Sequence, residues 1–185
     1  MNATERLTAI TSDGFFTQYT SIVSTSKSIR TRVREAIKYG LQTITMESGY
    51  HRTIKDVFDP PVNYEKMKRF PVINLLWGQE ERTNAHLAGN NSLCDIRLTS
   101  QIDIFLGNPK NISEEQDNVL QDIQRYFGNK YYVPDSDGNR TAFDIIYSGA
   151  SPWGMGEDEA NGIGGVSVFF DVYYRYNLQN PEIDY

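Results

Sequence analysis

From Leu93 to Gly107 the chain reads LCDIRLTSQIDIFLG, and polarity changes at almost every step. Ile96, Leu98, Ser100, Ile102, Ile104 and Leu106 share one parity, while Arg97, Thr99, Gln101 and Asp103 fill most of the other. A period of two marks a strand with one dry face and one wet face. At about 3.4 Å per residue it reaches roughly 35 Å, longer than an ordinary strand. The same alternation returns in the last stretch, Gly165 to Asn177, with Val166, Val168, Phe170, Val172, Tyr174 and Tyr176 on one parity. Shorter strands are predicted over Tyr50 to Phe58, stopped by Asp59-Pro60-Pro61, from Pro71 through VINLLWG to Gly78, and over Ala142 to Tyr147.

Two segments switch to a helical period. Ile29, Val33, Ile37, Leu41 and Ile44 recur every three or four residues, with Ala36 widening the stripe. Arg30, Arg32, Arg34 and Lys38 fall mostly off it and read as a solvated face. Gly49 suits a left-handed exit, whereas Gly40 should cost about 1 kcal/mol inside a helix unless close packing requires it. The second helix runs from Ser113 to Gly128. There Ser113-Glu114-Glu115-Gln116 has the form of a capping box, and Val119, Leu120, Ile123, Tyr126 and Phe127 form the buried stripe.

The intervening segments are polar. Asn63 to Phe70 reads as a connector and Gln79 to Ser92 as a long hairpin loop. Asp135 to Asn139 reads as a turn, and Ser148 to Gly164 as a Gly-rich loop. The order is helix, strand, strand, long strand, helix, strand, strand. It predicts an α+β fold: a single mostly antiparallel sheet of four or five strands, hairpins between neighbours, and two helices packed on one face. Residues 1–24 read as an N-terminal arm or extension, and residues 25–185 as one domain.

Composition narrows the function more than the fold. A net charge of −6, with no basic cluster to offset it, argues against a general nucleic-acid binder. The single cysteine, Cys94, excludes a disulfide framework and a cysteine-rich zinc site, and fits a reducing compartment. The start, MNATERLTAITSDG, lacks a basic region followed by an apolar run, so no signal peptide is expected. No apolar run approaches the length of a membrane span.

No catalytic constellation can be assembled. His51 and His86 lack HxH or HExxH spacing, and Cys94 sits on the dry parity of the long strand as a small buried filler. There is neither a Gly-x-Ser-x-Gly elbow nor a GxxxxGK[ST] phosphate loop. Asp95 and Asp103 could pair with Glu80 or Glu81 in a metal-dependent nuclease cluster, but no strand lysine lies at a useful offset. The DSDGN turn resembles a calcium loop only in part: counted from Asp135, its Gly comes two positions early and Ile146 stands where the bidentate Glu belongs. The expectation is a protein with no catalytic, cofactor or metal site.

The element order and several local phrases resemble the tail terminator (tail completion) proteins of long-tailed bacteriophages. The resemblance rests on the first helix running into Gly49-Tyr50, on Phe70-Pro71-Val72-Ile73 and on the long strand ending Asp103-Ile104-Phe105. The capped second helix and the closing strand, with Tyr174-Arg175-Tyr176 and nearby Asn180-Pro181, complete it. It covers about residues 28–181; the long N-terminal segment and the 148–165 loop depart from the shorter pattern.

The resemblance implies a virion structural protein that forms a homo-hexameric ring, caps the tail tube and ends its polymerisation. The ring then offers a surface to the head-tail connector or neck protein. Its partners would be its own copies, the tail tube protein and the connector, with genomic DNA passing without specific binding. No cofactor and no membrane are implied. The place would be the head-proximal end of the virion tail, after assembly in the host cytoplasm. A head-closure or connector adaptor of the neck is the nearest alternative, and a metal-dependent enzyme comes after it. Phe15, Phe16, Tyr19, Trp153 and Met155 suit interface cores, and Glu157, Asp158 and Glu159 suit an acidic lumen that repels DNA.

Overall fold

The structure, a computed structural model, describes residues 27–83, 93–107, 111–128, 133–134, 138, 140–154 and 163–177, together with the backbone of 6–10 and 16–20. Strands β1 (Arg6–Ile10) and β2 (Phe16–Thr20) form an antiparallel hairpin. Helix α1 (Ile29–Gln42) follows, then β3 (Asp56–Phe58), β4 (Val72–Arg82), β5 (Leu93–Gly107) and helix α2 (Ile112–Gly128). After a small ladder of β6 (Val133–Pro134) with β7 (Arg140–Ala142) come β8 (Asp144–Trp153) and β9 (Ile163–Asn177). The main sheet has the order β3-β4-β5-β9-β8, with every pairing antiparallel except β3 with β4.

Both helices lie on one face of this sheet, as the alternation predicts. The even-numbered side chains of β5 from Cys94 to Leu106 are buried, except that Ser100 is a polar member of the row. They sit opposite Tyr174, Val172, Phe170, Val168 and Val166 of β9. Ile29, Val33, Ile37 and Leu41 of α1 and Val119, Ile123, Tyr126 and Phe127 of α2 close over them as one core. Burying each such side chain contributes about 2 kcal/mol. Gly40 is explained by this packing: a Cβ there would lie 1.5 Å from Tyr126 Oη, so the helices meet where α1 has no side chain.

Four local expectations are corrected. The strand predicted over Tyr50 to Phe58 shrinks to three residues and runs parallel to β4 instead of forming a hairpin with it. Its first half is held by α2: the His51 and Arg52 amides each donate to the buried Asp122 carboxylate at 2.8 Å. Helix α1 ends at Gln42, and Gly49 (φ +83°) instead closes a separate 3-10 turn, Met46–Ser48. Strand β4 does not stop at Gly78. It continues through an irregularity between Trp77 and Glu80, where a Cβ on Gly78 would meet Thr99 Oγ1 at 2.3 Å. Finally, α2 is capped by Asn111, whose side-chain oxygen accepts from the Glu114 amide, and Ser113 is exposed.

Candidate assembly surface

The wet parity of β5 and β9 forms the second face of the sheet. Arg97, Thr99, Gln101, Asp103 and Phe105 lie opposite Tyr173, Asp171, Phe169, Ser167 and Gly165. Strand β8 extends the face with Ile146 opposite Asp171, Ser151 opposite Ser167 and Trp153 opposite Gly165. Asp103 accepts from Gln101 Nε2 and from Ser167 Oγ, each at 2.6 Å, so the middle of the face is polar and cross-linked.

The two ends of this face differ. At one end the segment after β3 folds back over the sheet. The buried Asn74 side chain exchanges two hydrogen bonds with the Val62 backbone, and Phe70 fills the space a Cβ on Gly107 would need. Trp153 lies edge-on to Phe105, with ring centroids 5.0 Å apart, and covers Gly165. Underneath, the buried Gln116 of α2 donates from Nε2 to the carbonyls of Trp153 (3.0 Å) and Gly165 (2.9 Å). Towards the other end Ile146 and Phe143 are 46% and 36% exposed, and Phe169, at mid-strand opposite Gln101, is 39% exposed. Phe143 lies beside Tyr173 and beneath the Arg175 guanidinium, 6.0 Å from its ring centroid. Tyr147, paired with Phe170 on the helix side, is exposed at the same outer strand.

The acids weighed for a metal cluster are drawn apart. Asp95 is paired with Arg175, whose guanidinium pKa is raised by donating to it. Asp103 lies eight residues along β5, a separation of about 27 Å on a straight strand. Glu80 is on the helix side, accepting from Tyr174 Oη and paired with Arg30 of α1, whereas Glu81 pairs with Arg97 across the wet face. Arg34, also on the supposedly solvated side of α1, pairs with Asp59 and lies over the Trp77 ring. Among the described residues no three His, Cys, Asp or Glu converge. Cys94 is buried in the core, as expected, and His51 is exposed.

One titratable pair is distinct. Glu115, near the start of α2, accepts from Arg52, and that hydrogen bond holds its carboxyl below the usual range against an opposing effect of burial. The Arg52 guanidinium is raised for the same reason. The pair helps fix the His51–Arg52 segment beside Asp122 and sits on the helix layer, away from the wet face.

Of the candidate interface residues, Trp153 belongs to β8 instead of a loop and is half-buried. Phe16 and Tyr19 lie on β2, whose side chains are outside the described residues, as are Phe15, Met155 and the candidate lumen acids Glu157, Asp158 and Glu159. Most of the DSDGN turn is also outside them, apart from Gly138 (φ +83°). Sequence reasoning missed Phe143, Ile146 and Phe169. Their signal was present: Phe169 and Tyr173 are aromatic residues on the wet parity of an otherwise well-alternating strand. Compared with family models and with curated proteins, the chain matches none. No helix among the described residues is long and apolar enough to cross a membrane.

Proposed function

We propose that this chain is a virion structural protein of a long-tailed phage, a tail terminator that assembles as a hexameric ring on the end of the tail tube. The observation that carries the reading is the outer part of the wet face, on β8 and β9. Phe143, Ile146 and Phe169 stay solvent-exposed on a sheet whose opposite face is sealed by two helices. Exposed apolar side chains of this kind close to a sheet edge are suited to protein–protein contact. The resemblance over residues 28–181 supplies the kind of assembly, and the rigid two-layer body suits a subunit that must keep its shape while joining copies. A closed ring arises when head-to-tail contacts repeat with a rotation that returns to the start.

Native mass measurement and negative-stain imaging of the purified chain test this. The expected result is a six-fold ring that stacks on tail-tube rings. A chain that stays single at every concentration would end the proposal, and a ring located in the neck but not touching the tube would favour the adaptor role. The lumen assignment of Glu157, Asp158 and Glu159 fails if all three face outward in an image of the ring.

A further inference from the structure

We propose that neighbouring copies join head to tail by charge, the basic margin around β3 of one copy meeting the acidic margin of α2 and β8 on the next. This rests on the ring reading above and deepens it by naming the two surfaces that meet.

The charges are unevenly shared along the chain. Residues 27–69 hold ten Lys and Arg against five Asp and Glu, whereas the whole chain holds 18 against 24. The remainder therefore holds eight against 19. Folding turns this division into a spatial one. Residues 27–69 form α1, β3 and the segment that leads into β4, and β3 ends the sheet order on one side. Strand β8 ends it on the other, four strand spacings or about 19 Å away. Helix α2 is fastened to β8 by Gln116.

At the β3 margin Arg34 and Arg69 are matched within the chain by Asp59 and Asp56. Lys55, Lys66 and Lys68 are exposed and make no ion pair among the described residues. The fold holds these lysines on one margin. The Lys55 amide donates to the Pro71 carbonyl, and the Arg69–Asp56 pair ties the segment carrying Lys66 and Lys68 to β3. At the far margin Asp117 of α2 and Asp144 of β8 are also exposed and make no ion pair among the described residues. Each margin adds exposed apolar surface, Tyr64 beside the lysines and Ile146 with Tyr147 on β8.

This combination selects a second copy as the occupant. Complementary potentials steer partners together and fix their register, whereas like charges set against each other cost several kcal/mol. Pairing either margin with itself would oppose like charges, so the isologous arrangement is disfavoured. Pairing one margin with the other joins opposite signs, and the two lie on opposite edges of one sheet. Such a contact is heterologous, the kind that closes into rings.

Two charge-reversal variants of the full chain test this. One carries Lys55→Glu, Lys66→Glu and Lys68→Glu, the other Asp117→Lys and Asp144→Lys. Each alone should associate about ten-fold or more weakly than the parent by native mass and sedimentation, with its melting midpoint unchanged. Mixed in equal amounts they should assemble again, the two alternating in equal numbers, because each then offers the sign the other lacks. The parent should also dissociate more readily as salt rises from about 0.05 to 0.5 M. Variants that assemble alone as the parent does, a mixture that stays dissociated, or a parent ring indifferent to salt would each overturn the margin assignment while leaving the ring reading in place. A lysine variant that forms normal rings but loses duplex DNA retained by the parent would assign that margin to nucleic acid and overturn the proposal. A parent that is monomeric throughout would remove both readings.

Discussion

On the helix side of the sheet Leu98, Ile102, Ile104, Val168 and Val172 are all fully buried, whereas on the other side Thr99, Gln101 and Ser167 are half-covered and Phe169 is open. The same strands carry both faces, so the contrast cannot come from strand propensity. It comes from what each face must satisfy. The helix side is complementary to this chain's own α1 and α2, down to the missing side chain at Gly40. The wet side bonds Asp103 to Gln101 and Ser167 and leaves Phe169 and Ile146 exposed among the described residues.

Substitutions on the two faces can break this contrast or sharpen it. Leu98→Ala, at the centre of β5, should cost about 4 kcal/mol from lost burial and a cavity, seen as a lower denaturant midpoint. Asp122→Ala should cost about 3 kcal/mol, because the His51 and Arg52 amides lose their acceptor in a buried setting. Gly40→Ala should cost about 2 kcal/mol by overpacking against Tyr126, and Tyr126→Phe in the same chain should recover part of it by deleting the nearest atom.

Glu115→Gln tests the helix layer by pH. The folded carboxyl is held below its ordinary value of 4.5, so the unfolded chain takes up the proton at higher pH than the folded one. The stabilisation is therefore complete above about 4.5 and is lost as pH falls through the lower folded value. In acid titrations followed by circular dichroism, the variant should lack that segment of the decline. The smallest stability effect is expected on the wet face, where Phe169→Ser should stay within about 0.5 kcal/mol of the parent in dilute solution. Its effect should appear in self-association instead. A Phe169→Ser chain that unfolds as readily as Leu98→Ala would erase the distinction between the faces.

Much of the helix side was legible in the sequence because it follows from local periods: alternation in β5 and β9, and a stripe every three or four residues in both helices. The parallel β3–β4 pairing was not legible, since it depends on Asp122, some seventy positions away, capturing amides that would otherwise extend a strand. The continuation of β8 through Ser148-Gly149-Ala150-Ser151-Pro152 was masked by turn-forming residues, which an edge strand tolerates because one side of its ladder is free. The apolar end of the wet face was half-legible. Aromatic residues on the polar parity were visible, but only the pairing of β8 with β9 brings Ile146 and Phe143 to them.

Gln116 has a mechanical consequence. One amide group on α2 grips two paired carbonyls, that of Trp153 at the end of the outermost strand and that of Gly165 near the start of its neighbour. A pull on β8 from an attached subunit would have to break that grip before it could peel the strand from β9. The load passes instead into α2 and the core beneath it, so the margin of the sheet resists tearing like a hemmed cloth.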